Sequence, residues 1–171
     1  MAGQKDYMPP MDQPKRKVVL GLGNLLFGDE GFGIHAVQIM HARHNSRYPV
    51  EWVDGGVLGL NLLPLVEDCS HLLVFDAVDA GLPGGTLVEM ARDEIPLCVG
   101  VKMSEHQLGF QEVLAIANFR GYYPTHLHLI GVQPVDLSTH MGLSPSVSAS
   151  LPAVERCAIE ILQEWFNATP H

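Results

Sequence analysis

Apolar positions along the chain follow two periods in alternation. Lys17 to Gly21 (KVVLG) is a short β-branched run ending in glycine. From Gly31 the apolar residues space out at helical intervals, with Ile34, Val37 and His41 on one face. This predicts a strand, a tight loop and a helix. Val50 to Val53 predicts a second strand and Leu58 to Glu67 a short helix. His71 to Phe75 (HLLVF) is a continuous apolar run of the kind found in strands covered on both faces. Strands that alternate with helices imply right-handed crossovers and a largely parallel sheet.

After a turn at Leu82 to Gly85 (LPGG), Thr86 to Met90 predicts a strand that returns antiparallel, because the connection is too short for a crossover. Ser104 and Gln107 form a capping box ahead of the stripe Phe110, Val113, Leu114 and Ala117, and Gly121 ends that helix. His126 to Val132 predicts the last strand. Val154, Ala158, Ile161, Leu162 and Trp165 mark an amphipathic C-terminal helix. Leu114, Ala117, Ile161 and Trp165 are expected in the core. About five strands and four helices result. The expected fold class is α/β: a three-layer sandwich whose twisted, mostly parallel but mixed sheet lies between helices.

Length and composition fit one such domain. The 171 residues are 47% hydrophobic and 17% charged, which excludes disorder for the bulk of the chain, and no apolar run approaches the roughly 18 residues of a membrane span. Residues 1–16 are polar, contain Pro9, Pro10 and Pro14, and lack the apolar stretch of a secretory signal. They are expected to form a flexible tail ahead of a single domain over 17–171. A formal charge of −9 disfavours nucleic acid and anionic lipid as partners. Cys69, Cys98 and Cys157 show no CxxC spacing, as expected of reduced thiols in a cytoplasmic protein.

Candidate chemistry gathers at predicted strand ends. Gly21 and Gly23 of GLGN suggest a dinucleotide fingerprint, but Leu26 stands where its third glycine belongs, and Asp29 and Glu30 already answer the positive helix end. Asp29 also fits as the N-cap of the first helix and Glu30 as a first-turn acid. Asp54 and Asp76 fall just after the second and third predicted strands, so in a parallel sheet they emerge on the same carboxyl edge as Glu30. Asp76 ends the most buried strand and needs a cation, a hydrogen-bond cluster or a raised pKa. His106 opens a helix, where it serves either as a neutral ligand or as a solvent-facing side chain. His41 and His44 decorate a helix, and His126 and His128 alternate on a strand. No GxSxG elbow or activated cysteine is present.

Four ordered blocks, GLGNLLFGDEGFG (21–33), VDGGVLGL (53–60), VFDAVDAG (74–81) and KMSEHQLGFQEVLA (102–115), resemble the signature segments of nickel-iron hydrogenase maturation endopeptidases. SEHQLGFQEVL is similar to the branch that serves uptake hydrogenases. The resemblance implies a phosphorylase/hydrolase-like fold and a monomer. It implies removal of the C-terminal extension of the hydrogenase large-subunit precursor after nickel insertion. It also implies Glu30, Asp76 and His106 as ligands of a divalent metal, nickel, which the substrate itself can supply. Asp29, Asp54, Asp76 and Glu30 are the candidate catalytic carboxylates, with Asp54 or Asp29 as base, in aspartic-type or metal-dependent hydrolysis. The alternative function is a non-proteolytic nickel chaperone or sensor for the same subunit.

Overall fold

The structure, a computed structural model, describes residues 15–96 and 105–167. Strands β1 (Arg16–Leu22), β2 (Glu51–Gly56), β3 (Cys69–Ala77), β4 (Leu87–Ala91) and β5 (His126–Val132) are interleaved with helices α1 (Phe32–His44), α2 (Leu63–Asp68), α3 (Glu105–Phe119) and α4 (Pro145–Asn167). They form one five-stranded sheet in the order β2-β1-β3-β5-β4. β4 runs antiparallel to β5, and every other pair is parallel. The short LPGG connection turns the chain back on itself, so β4 can join only as an antiparallel edge.

Alternation along the strands sorts the core into two halves. Val18, Leu20, Leu72, Val74, Leu127 and Leu129 face the side covered by α2 and α3. Val19, Leu73, Phe75 and Ile130 face the side covered by α1 and α4. Because β1, β3 and β5 are covered on both faces, their sequences read as unbroken apolar runs. Leu114 and Ala117 of α3 are fully buried and Trp165 of α4 nearly so. Ile161 is not in the core as expected: it lies at the margin of α4's buried stripe and only packs against the core from outside.

Several other expectations are corrected. His41 does not share the buried face of α1; it is exposed and stacks on Trp52 with ring centroids 6.0 Å apart. The helix expected over 58–67 is a 3-10 turn (Gly59–Leu62) followed by α2, with Pro64 in the first turn of α2 where no backbone donor is needed. Strands β2 and β3 run further than their apolar cores, so Asp54 and Asp76 lie inside the last residues of their strands rather than after them. Asp29 is not an N-cap: Gly31 takes that position without a side-chain cap, and Asp29 sits in the preceding 3-10 turn (Gly28–Gly31). Of the expected tail, residues 1–14 lie outside the described residues, as do Ser104 and the side chain of Gln107.

Candidate functional site

The turn after β1 is built by backbone contact. A Cβ on Gly33, in the first turn of α1, would lie 2.2 Å from the Leu22 carbonyl oxygen and 2.3 Å from that of Phe75. Only glycine lets α1 rest directly on the ends of β1 and β3. Gly23 has φ +142°, donates to the Gly56 carbonyl at 3.1 Å, and leaves no room for a side chain against the Glu30 carbonyl. Asn24 N–H donates to that same Glu30 carbonyl at 3.0 Å. The glycines therefore serve packing, and the N–H groups of Gly23 and Gly28 are engaged by the carbonyls of Gly56 and His140 instead of cradling a phosphate. The same folding-back carries Glu30 to the carboxyl edge of the sheet.

Asp29 is fully buried and its carboxylate is an anchor. Oδ1 accepts the Ser144 N–H at 2.7 Å, while Oδ2 accepts the N–H groups of Val135 (2.9 Å) and Asp136 (3.0 Å) and the Ser144 hydroxyl (2.8 Å). Burial pushes the carboxyl up, but the donors of Asp136, Ser144 and Val135 together outweigh it and hold the group below the ordinary carboxylate value. A carboxylate so engaged is a poor proton acceptor. Its evident work is to fasten the β5–α4 loop, residues 133–144, to the β1–α1 turn.

Glu30, in the turn that follows β1, and Asp76, near the end of β3, lie at neighbouring strand ends, since β1 and β3 pair through Gly21 and Phe75. Asp76 is only 5% exposed and follows Leu72 and Val74 on the face covered by α3, whose first turn carries His106. The side chain of His106 lies outside the described residues. Asp54 sits at the same edge on β2 but alternates with Trp52 toward the α1 face, is exposed, and accepts the Gly56 N–H at 3.0 Å. Among the described residues no three His, Cys, Asp or Glu side chains are grouped to hold a metal. Glu30, Asp54 and Asp76 do not form an all-carboxylate centre by themselves.

Sequence reasoning missed Gln133, buried just past β5. Its Oε1 accepts from Ala80 N–H (2.8 Å) and Leu82 N–H (3.2 Å), and its Nε2 donates to Asp79 (3.1 Å), so it shapes the β3–β4 loop beside Asp76. A polar residue closing the apolar run HLHLIGV was the available signal, the same one that singled out Asp76. The histidines His71 and His126 stack at the opposite, amino edge, 4.1 Å apart, and His128 follows them on β5. Burial pushes the Cys69 thiol up to about 12 and the Cys157 thiol to about 11, so neither is a nucleophile at neutral pH.

Comparison with known proteins agrees with the fold. The family model described as hydrogenase maturation protease (HycI) matches residues 34–161. The hydrogenase expression/formation protein HupD of Rhodobacter capsulatus is 45% identical over 158 residues, 91% of this chain and 75% of the relative. The hydrogenase 2 maturation protease of Escherichia coli is 36% identical over 157 residues, 91% and 96% of the two chains. The solved hydrogenase maturating endopeptidase HybD of E. coli superposes with a TM-score of 0.79 at 35% identity, covering 87% of this chain and 93% of that one. With a family model matched over 34–161, relatives of 36–45% identity over most of its length and a superposable solved structure, the chain belongs to the hydrogenase maturation protease family.

Proposed function

We propose that this protease removes the C-terminal extension of a nickel-iron hydrogenase large subunit after nickel insertion, the precursor being that of an uptake hydrogenase. Family membership supplies the peptidase activity. The observation that carries the site is Asp76, a carboxylate buried at the end of β3 on the face of α3, beside the turn that delivers Glu30. Two carboxylates and the His106 imidazole make a donor set suited to a divalent ion with coordination positions left for substrate. Such an ion, borne by the precursor, would supply recognition of the loaded state and polarisation of the scissile carbonyl.

The chain's own residues do the rest. Glu30, Asp76 and His106 hold the precursor's metal-bearing end against the carboxyl edge. Asp29, committed to four donors, positions the β5–α4 loop. The role of base falls to Asp54, the exposed carboxylate at the same edge, which lies on the other face of the sheet from Asp76 and meets an attacking water beyond the strand ends. The protein acts as a monomer in the cytoplasm; among the described residues no helix is long and apolar enough to cross a membrane.

The test is incubation of the purified protein with purified nickel-loaded precursor, followed by intact-mass measurement of the large subunit. Loss of the extension mass is expected. Nickel-dependent binding with an unchanged mass would replace this reading with the chaperone.

A further inference from the structure

Among the described residues, the loops at the carboxyl edge of the sheet combine exposed apolar side chains with an absence of Lys and Arg. Leu26, Val57, Leu60, Leu82, Val135 and Met141 are all exposed, Leu60 at 55% and Met141 at 70%. They are spread over the four loops 23–31, 56–62, 77–86 and 133–144. Phe27, Leu58 and Leu137 belong to the same loops, and the other exposed large hydrophobics among the described residues, Ile116, Phe119, Tyr122 and Phe166, lie at or just past the far ends of α3 and α4. Singly exposed apolar residues are ordinary, but their concentration around one edge is not.

Charge is sorted along the same axis. Those four loops contain no Lys or Arg, while Glu30, Asp54, Asp79 and Asp136 all stand at that edge. The described Lys and Arg residues lie at the amino side, from Arg16 and Lys17 in β1 to Arg120 after α3, apart from Arg156 midway along α4. The loops are also fixed in place. Asp29 clasps residues 135–144, Gly28 N–H donates to the His140 carbonyl at 2.8 Å, and Gln133 holds the 80–82 turn. Apolar side chains on fastened loops stay presented to solvent, and little ordering cost remains for a partner.

We propose that this apolar rim, without Lys or Arg among the described residues, is the surface on which the hydrogenase precursor docks, and that the precursor segment lying on it is both apolar and basic. The proposal rests on the reading of the chain as the large-subunit protease. The carboxylates steer the basic segment to the edge and disfavour acidic competitors. The apolar side chains then supply the contact that slows its release.

The experiment measures association and dissociation of purified nickel-loaded precursor with the purified protein and with Leu60→Glu, Leu60→Lys, Met141→Glu and Met141→Lys. Each substitution removes an apolar contact, but the lysine variants also place a cation in the rim. The glutamate variants should weaken binding several-fold through faster dissociation, and the lysine variants about tenfold further through slower association that added salt partly restores. Phe119→Glu, at the remote end of α3, should bind as the parent does. Two positions in separate loops are used so that unfolding of one leaves the other to decide. Equal loss with either sign of charge would overturn the basic partner. Unchanged binding by all four variants, while the parent still cleaves precursor, would overturn the docking surface and leave the protease function standing. Absence of cleavage by the parent protein would overturn both. Self-association of the parent in sedimentation, abolished by the lysine variants, would show a second copy to be the occupant instead.

Discussion

Ser144 donates twice to Asp29, its amide to Oδ1 at 2.7 Å and its hydroxyl to Oδ2 at 2.8 Å, and so joins two loops 115 residues apart in the chain. The start of α4 is thereby fastened to the start of α1 across the carboxyl edge. The arrangement makes Asp29 a fold element with functional consequences, because the loop it fastens borders the candidate site.

Asp29→Asn should lower stability by about 2–3 kcal/mol in urea denaturation, since the new amide turns two hydrogens toward buried donors. Acid dependence follows from the depressed carboxyl. The folded-state value lies below the unfolded one, so the contribution is fully present above about pH 4 and is lost as pH falls through the folded value. The parent protein should therefore lose stability more steeply than the variant in that range. Parallel curves would remove Asp29 from the acid response.

Gly33→Ala should destabilise by about 1–3 kcal/mol or more, read as a lower thermal midpoint, because its Cβ would strike two backbone oxygens that cannot rotate away. The atoms concerned are the carbonyl oxygens of Leu22 and Phe75. An unchanged midpoint would mean that α1 shifts freely over the sheet.

Leu114→Ala should cost about 2–5 kcal/mol, as for a fully buried leucine. Ile161→Ala should cost clearly less, since Ile161 keeps solvent on one side. Equal losses from denaturant titration would contradict the burial difference.

Burial, assisted by the neighbouring His126 and Lys17, pushes the His71 imidazole down to about 4. Its ring resonances should titrate near that value. The neutral form is the folded one, so the stabilising contribution is complete above the unfolded value of about 6.5 and declines as pH falls from there toward the folded value. His71→Gln should flatten that decline. A titration midpoint near 6.5 would show the stacked ring to be open to water.

His106→Gln should abolish precursor cleavage while leaving the thermal midpoint nearly unchanged, because a first-turn histidine contributes little packing and an amide of similar size cannot replace an imidazole ligand. Cleavage is scored by mass of the large subunit and folding by a melting curve. Processing at the parent rate would remove His106 from the mechanism.

The strands and the stripe of α3 were legible because burial writes its period into the sequence: HLLVF is a run typical of a strand covered on both faces, and Leu114 and Ala117 fall where one helix face must be apolar. The antiparallel β4 was legible from the length of LPGG. Asp29 was misread because an acid before a helix is explained locally as a cap, whereas its partners are Val135, Asp136 and Ser144, distant in sequence. Asp54 and Asp76 were rightly placed at one edge, but the pleat sends them to opposite faces, which position after a strand does not reveal. Ile161 lies one step around the helix from Leu162, and apolar character does not record that step. The fastened loop 133–144 carries no periodicity at all, so the rim it helps build became visible only in three dimensions.

The strand order has a consequence for the chain as it is made. β5 lies between β3 and β4, yet leaves the ribosome after both. Until residue 132 has emerged, the apolar edge of β3 has no neighbour and β4 has nothing to pair with, so the growing chain presents an open sheet edge of the kind that recruits other chains. Insertion of β5 is the event that converts two incomplete fragments into one sheet. Synthesis paused before that point would yield an aggregation-prone intermediate, and a holding chaperone would act most usefully in that interval.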